Sequence, residues 1–364
     1  MKILYVITKS EVGGAQTHLG QLVDHFSKRG DELYVMSYPG GWLENRVAGK
    51  AKFIYNVYFS NSFNPIRAIR AILKIRTAVR EIKPDVVHCH SSAAAAFARL
   101  AVFGKIPTIY TAHGWGFNIG TRPIQKYLAM TVEKILEIFT KKIICVSDFV
   151  KNLGVQYGIA SENKFVLIHN GVRISGLRAE GIGDKIQIIT VGRLANPKIP
   201  ELIIDSILSL DLEIQKQLKL LILGGGPNKK MLEEKILNSQ FEVEMLDVPL
   251  EKVQSYLLTS DIFILLSRWE GFPYSVLEAM SVALPVIASD VGGISEAVKN
   301  DQNGFLVQNN IQSVSEAILK LVKNKELRQN MGQASLEAVR GQFSEEIMCE
   351  KTERLYVEVI SGEN

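Results

Sequence analysis

Leu266-Ser-Arg-Trp-Glu-Gly-Phe-Pro-Tyr-Ser-Val-Leu-Glu278 is the stretch whose reading decides the fold. The apolar run leading into it, residues 262–266, has the composition of a fully buried strand. Gly271 and Pro273 break that run, and residues 274–282 resume as a helix with Val276, Leu277 and Met280 toward the sheet. A buried strand passing through a loop into a helix is the unit of a parallel α/β sheet. Such sheets bind ligands at the carboxyl ends of their strands, where a helix amino terminus receives anions. Pro273 suits the first helical turn, where its missing N–H costs nothing. Glu270 and Glu278 bracket the turn, and Glu278 is left to point back toward the loop. The expectation is a phosphate at the helix start and a hydroxyl-rich group held by the carboxylates, the outline of half a site.

Outward from this turn, strand and helix patterns alternate along the whole chain, which argues for parallel sheets covered on both faces. Strands are expected at 3–8, 32–37, 53–55, 85–90, 108–112, 142–146 and 164–168, with helices at 15–27, 65–82, 93–102, 123–139 and 148–157 between them. Gly171, Gly176, Gly181 and Gly183 lie in a stretch of little apolar content that marks a linker. A second series of strands follows at 186–191, 218–223, 242–246, 261–266 and 285–288, and the end is helical over 311–323, 327–340 and 345–360. The division is therefore a first domain at 1–170, a linker at 171–184, a second domain at 185–344 and a terminal helix at 345–364. Two domains also suit a chain of 364 residues.

Composition excludes several classes. With 47% hydrophobic and 22% charged residues the chain can bury large cores. No apolar run approaches the roughly 18 residues that a membrane span needs, and residues 2–8 are too short for a signal peptide. Cys89, Cys145 and Cys349 are scattered, as expected of buried, reduced thiols in a cytosolic protein. The net charge of +4 hides an asymmetry: residues 1–175 carry 23 Lys+Arg against 11 Asp+Glu, and residues 176–364 carry 19 against 27. A first half at +12 points to an anionic partner.

Gly192-Arg-Leu-Ala-Asn-Pro-Lys198 follows the first strand of the second domain. Arg193 and Lys198 there could clamp a diphosphate, or Arg193 could serve a surface ion pair. Gly13-Gly14 follows the first strand and permits close backbone approach to a ligand, but is not the dinucleotide fingerprint; a plain structural turn is the alternative. Leu223-Gly-Gly-Gly-Pro227 is a similar turn. His113 ends a strand among glycines and aromatics, either to bond a sugar hydroxyl or as an ordinary loop histidine. His88 and His90 share a strand face without a third metal ligand nearby and are expected to be structural, with a place lining the cleft as the alternative for His90. No Asp-x-Asp occurs, so no metal is expected to carry a diphosphate. On the helix at 65–82, Arg67, Arg70, Lys74, Arg76 and Arg80 interleave with aliphatic residues. This is either a packed helix with a solvated basic face or a contact for an anionic membrane. Nucleic acid is not expected, since no aromatic platform accompanies the charge.

Taken together, these strings resemble the family-four retaining glycosyltransferases of the GT-B fold, from end to end of the chain. Ser267-x-x-Glu270-Gly-Phe-Pro-x-x-x-x-Glu278 carries the two glutamates with seven residues between them. Gly192-Arg193-Leu194 with Lys198, Gly13-Gly14-Ala15, Thr111-Ala-His113-Gly114, Asn170-Gly171-Val172 and Val291-Gly-Gly-Ile-Ser-Glu296 match further strings in order. The resemblance implies two Rossmann-like, doubly wound α/β domains facing across a cleft, with the acceptor on the first and the nucleotide-sugar on the second. It also implies that the last helix crosses back to the first domain. By the same resemblance, Arg193 and Lys198 bind the donor diphosphate, assisted by amides near Gly271 and Phe272. Glu278 accepts from ribose, Glu270 contacts the transferred sugar, His113 bonds that sugar and Gly14 approaches the phosphates. Glu270, His113, Arg193 and Lys198 are the expected catalytic group.

Three positions depart from the pattern: Gly225 stands where Asp is frequent, Asp247 where Gly is common, and Ile199 where Gly or a polar residue follows the lysine. The histidine and Asn-Pro-Lys strings look most like bacterial enzymes of capsule, O-antigen and exopolysaccharide assembly. The expected function is retaining, metal-independent transfer from a UDP-sugar to a saccharide acceptor, lipid-linked, by a cytoplasmic enzyme peripheral on an anionic membrane face. No cofactor is expected. The alternatives are a GT-B nucleotide-sugar epimerase, which needs no acceptor, and a non-catalytic nucleotide-sugar-binding protein.

Overall fold

The computed structural model describes residues 1–59, 64–118, 121–174, 176, 184–237 and 239–362. Its described residues divide into two compact units, Met1–Asn170 with Glu345–Asn364, and Gly171–Ser344. Of the stretch read as a linker, residues 175 and 177–183 lie outside the described residues.

The first unit runs β1 (Lys2–Ile7), α1 (Gly14–Lys28), β2 (Glu32–Ser37), α2 (Trp42–Val47), β3 (Lys52–Tyr55), α3 (Pro65–Ile82) and β4 (Val86–His90). It continues through α4 (Ser92–Val102), β5 (Thr108–Ala112), α5 (Pro123–Leu136), β6 (Lys142–Cys145), α6 (Asp148–Gln156) and β7 (Phe165–Leu167). All seven strands pair in parallel in the order β3-β2-β1-β4-β5-β6-β7. Helices α3, α4 and α6 start where a short polar side chain caps them. Asn64 accepts from the Arg67 amide of α3 at 3.2 Å, and Ser147 from the Val150 amide of α6 at 3.2 Å. Such caps satisfy amides that no carbonyl of the helix can reach.

The second unit runs β8 (Ile186–Val191), α7 (Pro200–Leu208), α8 (Leu212–Gln215), β9 (Leu218–Leu223), α9 (Lys229–Ile236), β10 (Glu242–Leu246) and α10 (Leu250–Leu257). Then follow β11 (Ile262–Leu265), α11 (Tyr274–Ser281), β12 (Val286–Ser289), α12 (Ile294–Ala297), β13 (Gly304–Val307), α13 (Ile311–Lys323) and α14 (Lys325–Gln342). Its parallel sheet has the order β10-β9-β8-β11-β12-β13. The sequence reading has no strand at β13 and no helix at α2. Both are short, and β13 is only Gly-Phe-Leu-Val, too brief for a period to show. Pro273 precedes α11 as its N-cap, φ −75° and ψ 128°, instead of entering the first turn. Its ring fixes φ at a value that extended backbone also adopts.

The last helix, α15 (Glu345–Ser361), packs into the first unit. Met348, Cys349, Leu355, Tyr356 and Val359 join Tyr5, Leu19, Phe26 and Val35 in its core. Glu358 pairs with Lys142 at 3.0 Å and Glu353 with His25 at 2.9 Å. All three cysteines are buried free thiols. Among the described residues no helix is long and apolar enough to cross a membrane.

Candidate functional site

In the second unit the chain builds β8, β9 and β10 to one side, then β11, β12 and β13 to the other. β8 and β11 are therefore neighbours at the point where strand order reverses, where the loops diverge and leave a crevice. The two loops leaving this point carry Arg193 and Lys198 after β8, and Glu270 after β11.

Backbone bonds lock these loops together. The Ile199 amide donates to the Leu266 carbonyl at 3.0 Å, and the Arg268 amide to the Pro197 carbonyl at 2.9 Å. The loop after β9 joins from the other side: the Leu194 amide donates to the Gly225 carbonyl at 2.9 Å and the Asn228 amide to the Leu194 carbonyl at 3.0 Å. Glycines permit the closest approaches. A Cβ on Gly224 would collide with the Gly192 carbonyl, and one on Gly292, at φ +60°, with the Glu270 carbonyl. The Gly293 amide also donates to the Glu270 carbonyl at 3.3 Å. The glycine pair after β12 thus supports the glutamate loop.

One further contact accounts for two of the departures from the family pattern. A Cβ on Gly225 would lie 2.5 Å from Oδ2 of Asp247. The Asp247 carboxylate, arriving from the end of β10, occupies the space an aspartate at 225 would need. Gly225 and Asp247 are one packing arrangement.

The charges are unequally engaged. Lys198 Nζ and Ser267 Oγ, the latter at 2.6 Å, both donate to Oε1 of Glu270. Oε2 of Glu270 has no partner among the described residues. Lys198 is therefore not a bare cation waiting for phosphate; its charge is matched by Glu270. Arg193 is exposed and unpaired among the described residues, the free cation of the expected clamp. Ser267 is held in turn: its amide donates to Ser289 Oγ at 2.9 Å, and its carbonyl accepts from Asn309 Nδ2 at 2.9 Å. Ser267, Ser289 and Asn309 escaped the sequence reading as site residues. Ser267 stands in the quoted string, but the other two carry no local signal.

Glu278 sits on α11 behind aliphatic Val276, Leu277 and Met280, all fully buried or nearly so. Desolvation raises its carboxyl pKa to about 7, and no hydrogen bond to a described residue offsets this. A half-buried carboxylate with unfilled acceptor positions suits a diol. Gly271 and Phe272 are buried, and Phe272 packs its ring on Phe343 with centroids 5.3 Å apart.

The remaining expected residues lie in the first unit. Gly14 opens α1, and His113 follows β5. Around His113 the chain collects four of its six histidines. His113 Nε2 meets His90 Nδ1 at 3.2 Å, and the His18 ring stands edge-on to His113 with centroids 5.1 Å apart. His88 is spent on structure, bonded to the Tyr356 hydroxyl and, at 2.7 Å, to Thr111 Oγ1. Burial disfavours the imidazolium throughout. It lowers His18 to about 4 and holds His88, His90 and His113 well below the usual histidine range. His18 and His90 were not foreseen as neighbours of His113. His18 lies four residues after Gly14, one helical turn along the buried side of α1, which is the only hint the sequence offered.

Comparison with known proteins agrees with this architecture. The family described as Glycosyltransferase Family 4 matches residues 12–175, and that described as Glycosyl transferases group 1 matches residues 177–337. The chain is 28% identical to the O-antigen biosynthesis glycosyltransferase WbnH of Escherichia coli, over 88% of this chain and 90% of that one. It is 26% identical to the UDP-Gal:alpha-D-GlcNAc-diphosphoundecaprenol alpha-1,3-galactosyltransferase of Escherichia coli, over 99% and 97%. In fold it is similar to Anabaena Alr3699/HepE, solved with UDP and glucose, with a TM-score of 0.82 at 17% identity over 98% and 99% of the two chains. Two parallel α/β units, a loop cluster built on Glu270, Lys198 and Ser267, and matches along nearly the whole chain make it a glycosyltransferase of family four with the GT-B fold, a relative of enzymes of surface polysaccharide biosynthesis.

Proposed function

We propose that the chain moves a sugar from a UDP-sugar to a lipid-linked saccharide, with retention of anomeric configuration and without a metal ion. One observation carries this reading: at the reversal point of a single sheet, two loops bonded to each other carry Arg193, unpaired among the described residues, and a carboxylate, Glu270, that keeps one oxygen unbonded among them. A diphosphate leaving group needs positive charge, and a hydroxyl-bearing sugar needs an acceptor oxygen. Arg193 supplies the first, with Lys198 shared between Glu270 and phosphate. Oε2 of Glu270 supplies the second. Glu278 takes the ribose hydroxyls, and the amide ends near Gly271 and Phe272 assist the phosphates. His113 bonds a hydroxyl of the transferred sugar, and Gly14 lets backbone approach the phosphates. The named activity of the galactosyltransferase relative, with UDP-Gal and a diphosphoundecaprenol acceptor, supports UDP and a lipid carrier.

The acceptor implies a membrane, and the exposed faces of the first unit suit an anionic one. Ile66, Ile69 and Leu73 of α3 are more than half exposed between Arg67, Arg70 and Lys74. Ile124, Tyr127 and Leu128 of α5 are also more than half exposed, Ile124 at 84%. Apolar side chains among basic ones are what an interfacial helix presents.

The test is a screen of UDP-, GDP- and dTDP-sugars with GlcNAc diphosphate on an alkyl chain as acceptor, following nucleotide release and the anomeric signal of the product. UDP release that requires acceptor, survives EDTA and gives a retained anomer is expected. Turnover of donor alone into another free nucleotide-sugar, or strict dependence on Mn²⁺, overturns the reading. Sedimentation with anionic and neutral vesicles tests the surface, and equal binding to both counts against it.

A further inference from the structure

The histidine cluster fixes more than the charge of His113. A single proton must lie between Nδ1 of His90 and Nε2 of His113, 3.2 Å apart, and two arrangements are open. If His113 donates from Nε2, neutral His90 must carry its own proton on Nε2. That nitrogen is sealed from solvent and has no hydrogen-bond partner among the described residues. An orphaned buried N–H is a rare and costly arrangement, more so than an under-used acceptor. If His90 donates from Nδ1 instead, its Nε2 is only a bare lone pair. The rings favour a true in-plane bond: their planes differ by 27° and their centroids are 5.5 Å apart. His18 follows the same pattern, with Nδ1 bonded to Asn170 Oδ1 at 3.1 Å and Nε2 buried and unpartnered.

We propose that His90 sets the tautomer of His113. By donating from Nδ1 to Nε2 of His113, it leaves the His113 proton on Nδ1, so that His113 meets its ligand as a neutral hydrogen-bond donor and not as a base. His113 is partly exposed, and Nδ1 has no partner among the described residues. The oxygen that Nδ1 meets must therefore offer a lone pair, as a sugar hydroxyl oxygen does. A hydroxyl bound there keeps its own proton to donate elsewhere. His90 is a positioning residue: it acts through His113, and its side chain is fully buried. The assignment to a sugar oxygen rests on the function proposed above; the tautomer itself does not.

The experiment reads the tautomer directly. In the full chain labelled with ¹⁵N-histidine, long-range ¹H–¹⁵N correlation gives each ring nitrogen a protonated or unprotonated shift, and His113→Gln identifies the His113 signals. Nε2 unprotonated and Nδ1 protonated, unchanged between pH 6 and 8, is expected. A protonated Nε2 on His113 overturns the proposal whatever the enzyme's activity. His90→Leu removes the donor, and His90→Asn returns an N–H close to the place of Nδ1. His90→Leu should shift His113 toward the other tautomer and lower kcat about tenfold, with His90→Asn recovering both. If His90→Leu shifts the tautomer but leaves kcat untouched, the functional half of the proposal falls. If His90→Leu does not fold, the wild-type spectrum still decides. A wild-type enzyme inactive with every donor would sink the proposed function and leave the tautomer standing.

Discussion

The two units handle polar chemistry in opposite ways. In the second unit, Arg193, Lys198 and Glu270 on glycine-locked loops and Glu278 on α11 are acid or base groups, and three of them keep hydrogen-bonding positions unfilled among the described residues. Around His113 in the first unit there is no formal charge; four imidazoles are kept neutral by burial and bonded to one another, to hydroxyls or to an amide. In the function proposed above, the first arrangement would meet its ligand by charge, which salt screens. The second would meet it by fixed dipoles and would depend on pH, because a single added proton would place an unmatched charge in the core.

The widest separation between the two regions should appear in acid. His18 titrates at about 4 in the folded chain, against the ordinary 6.5. Its folded pKa is lowered, so the unfolded chain takes up the proton first as pH falls. Stability is therefore full above about pH 6.5 and is lost toward pH 4. That histidine alone accounts for about 3 kcal/mol over the window, and His88, His90 and His113 shift in the same direction. The loss can reach the whole stability of a domain, on the order of 5–15 kcal/mol. Urea midpoints, followed by circular dichroism, should fall steeply from pH 6.5 to 5. A flat midpoint over that range would mean that the cluster opens and hydrates at little cost.

The next largest effect separates binding from transfer inside the charged region. Glu270→Gln removes the countercharge of Lys198 and frees it for phosphate. Transfer should fall by about 10²–10³-fold, while UDP, measured by calorimetry, should bind as well or more tightly. A tenfold weaker UDP would show instead that Glu270 serves the nucleotide, and the division of labour between Glu270 and Glu278 would have to be reversed.

Glu278 gives a smaller effect with the opposite pH sign to the histidines. Its folded pKa, about 7, lies above the usual carboxylate value. The folded chain holds the proton longer than the unfolded one, so this contribution is full below about pH 4.3 and is lost as pH rises to 7. Discounting for its partial exposure, Glu278→Gln should stabilise the protein at pH 8 by about 1–2 kcal/mol and weaken UDP binding. A variant less stable than wild type at pH 8 would mean that the carboxylate has a partner that offsets its burial.

These contrasts also explain what the sequence disclosed. Strands β8, β9 and β10 were legible to the residue: β8 and β9 are mostly apolar runs between turns, and β10, on the sheet edge, alternates Glu with apolar residues. The charged site was legible because its residues lie in short strings on two loops, and short strings are what a sequence displays. β13 was not, since four residues show no period. The bond between Lys198 and Glu270, 72 positions apart, was invisible for a different reason: each had been given its own part of the ligand, and nothing local says that they meet. The same holds for His18, His90 and His113, which belong to a helix, a strand and a loop and come together only through the order of β1, β4 and β5 in the sheet.

The smallest expected effect tests whether two odd positions are one. Gly225→Asp should destabilise the protein by about 1–2 kcal/mol, because the new side chain meets the Asp247 carboxylate in both volume and charge. Asp247→Gly should change little by itself, since Asp247 is exposed and has no partner among the described residues. The double variant should regain most of the loss, with a coupling energy of about 1 kcal/mol from thermal melts of the four proteins. Additive melts would separate the positions and leave Gly225 without a packing reason. A positive coupling would mean that the charge has moved between neighbouring loops of one sheet edge, so that a residue missing from one string of the family pattern is to be sought at the end of the adjacent strand.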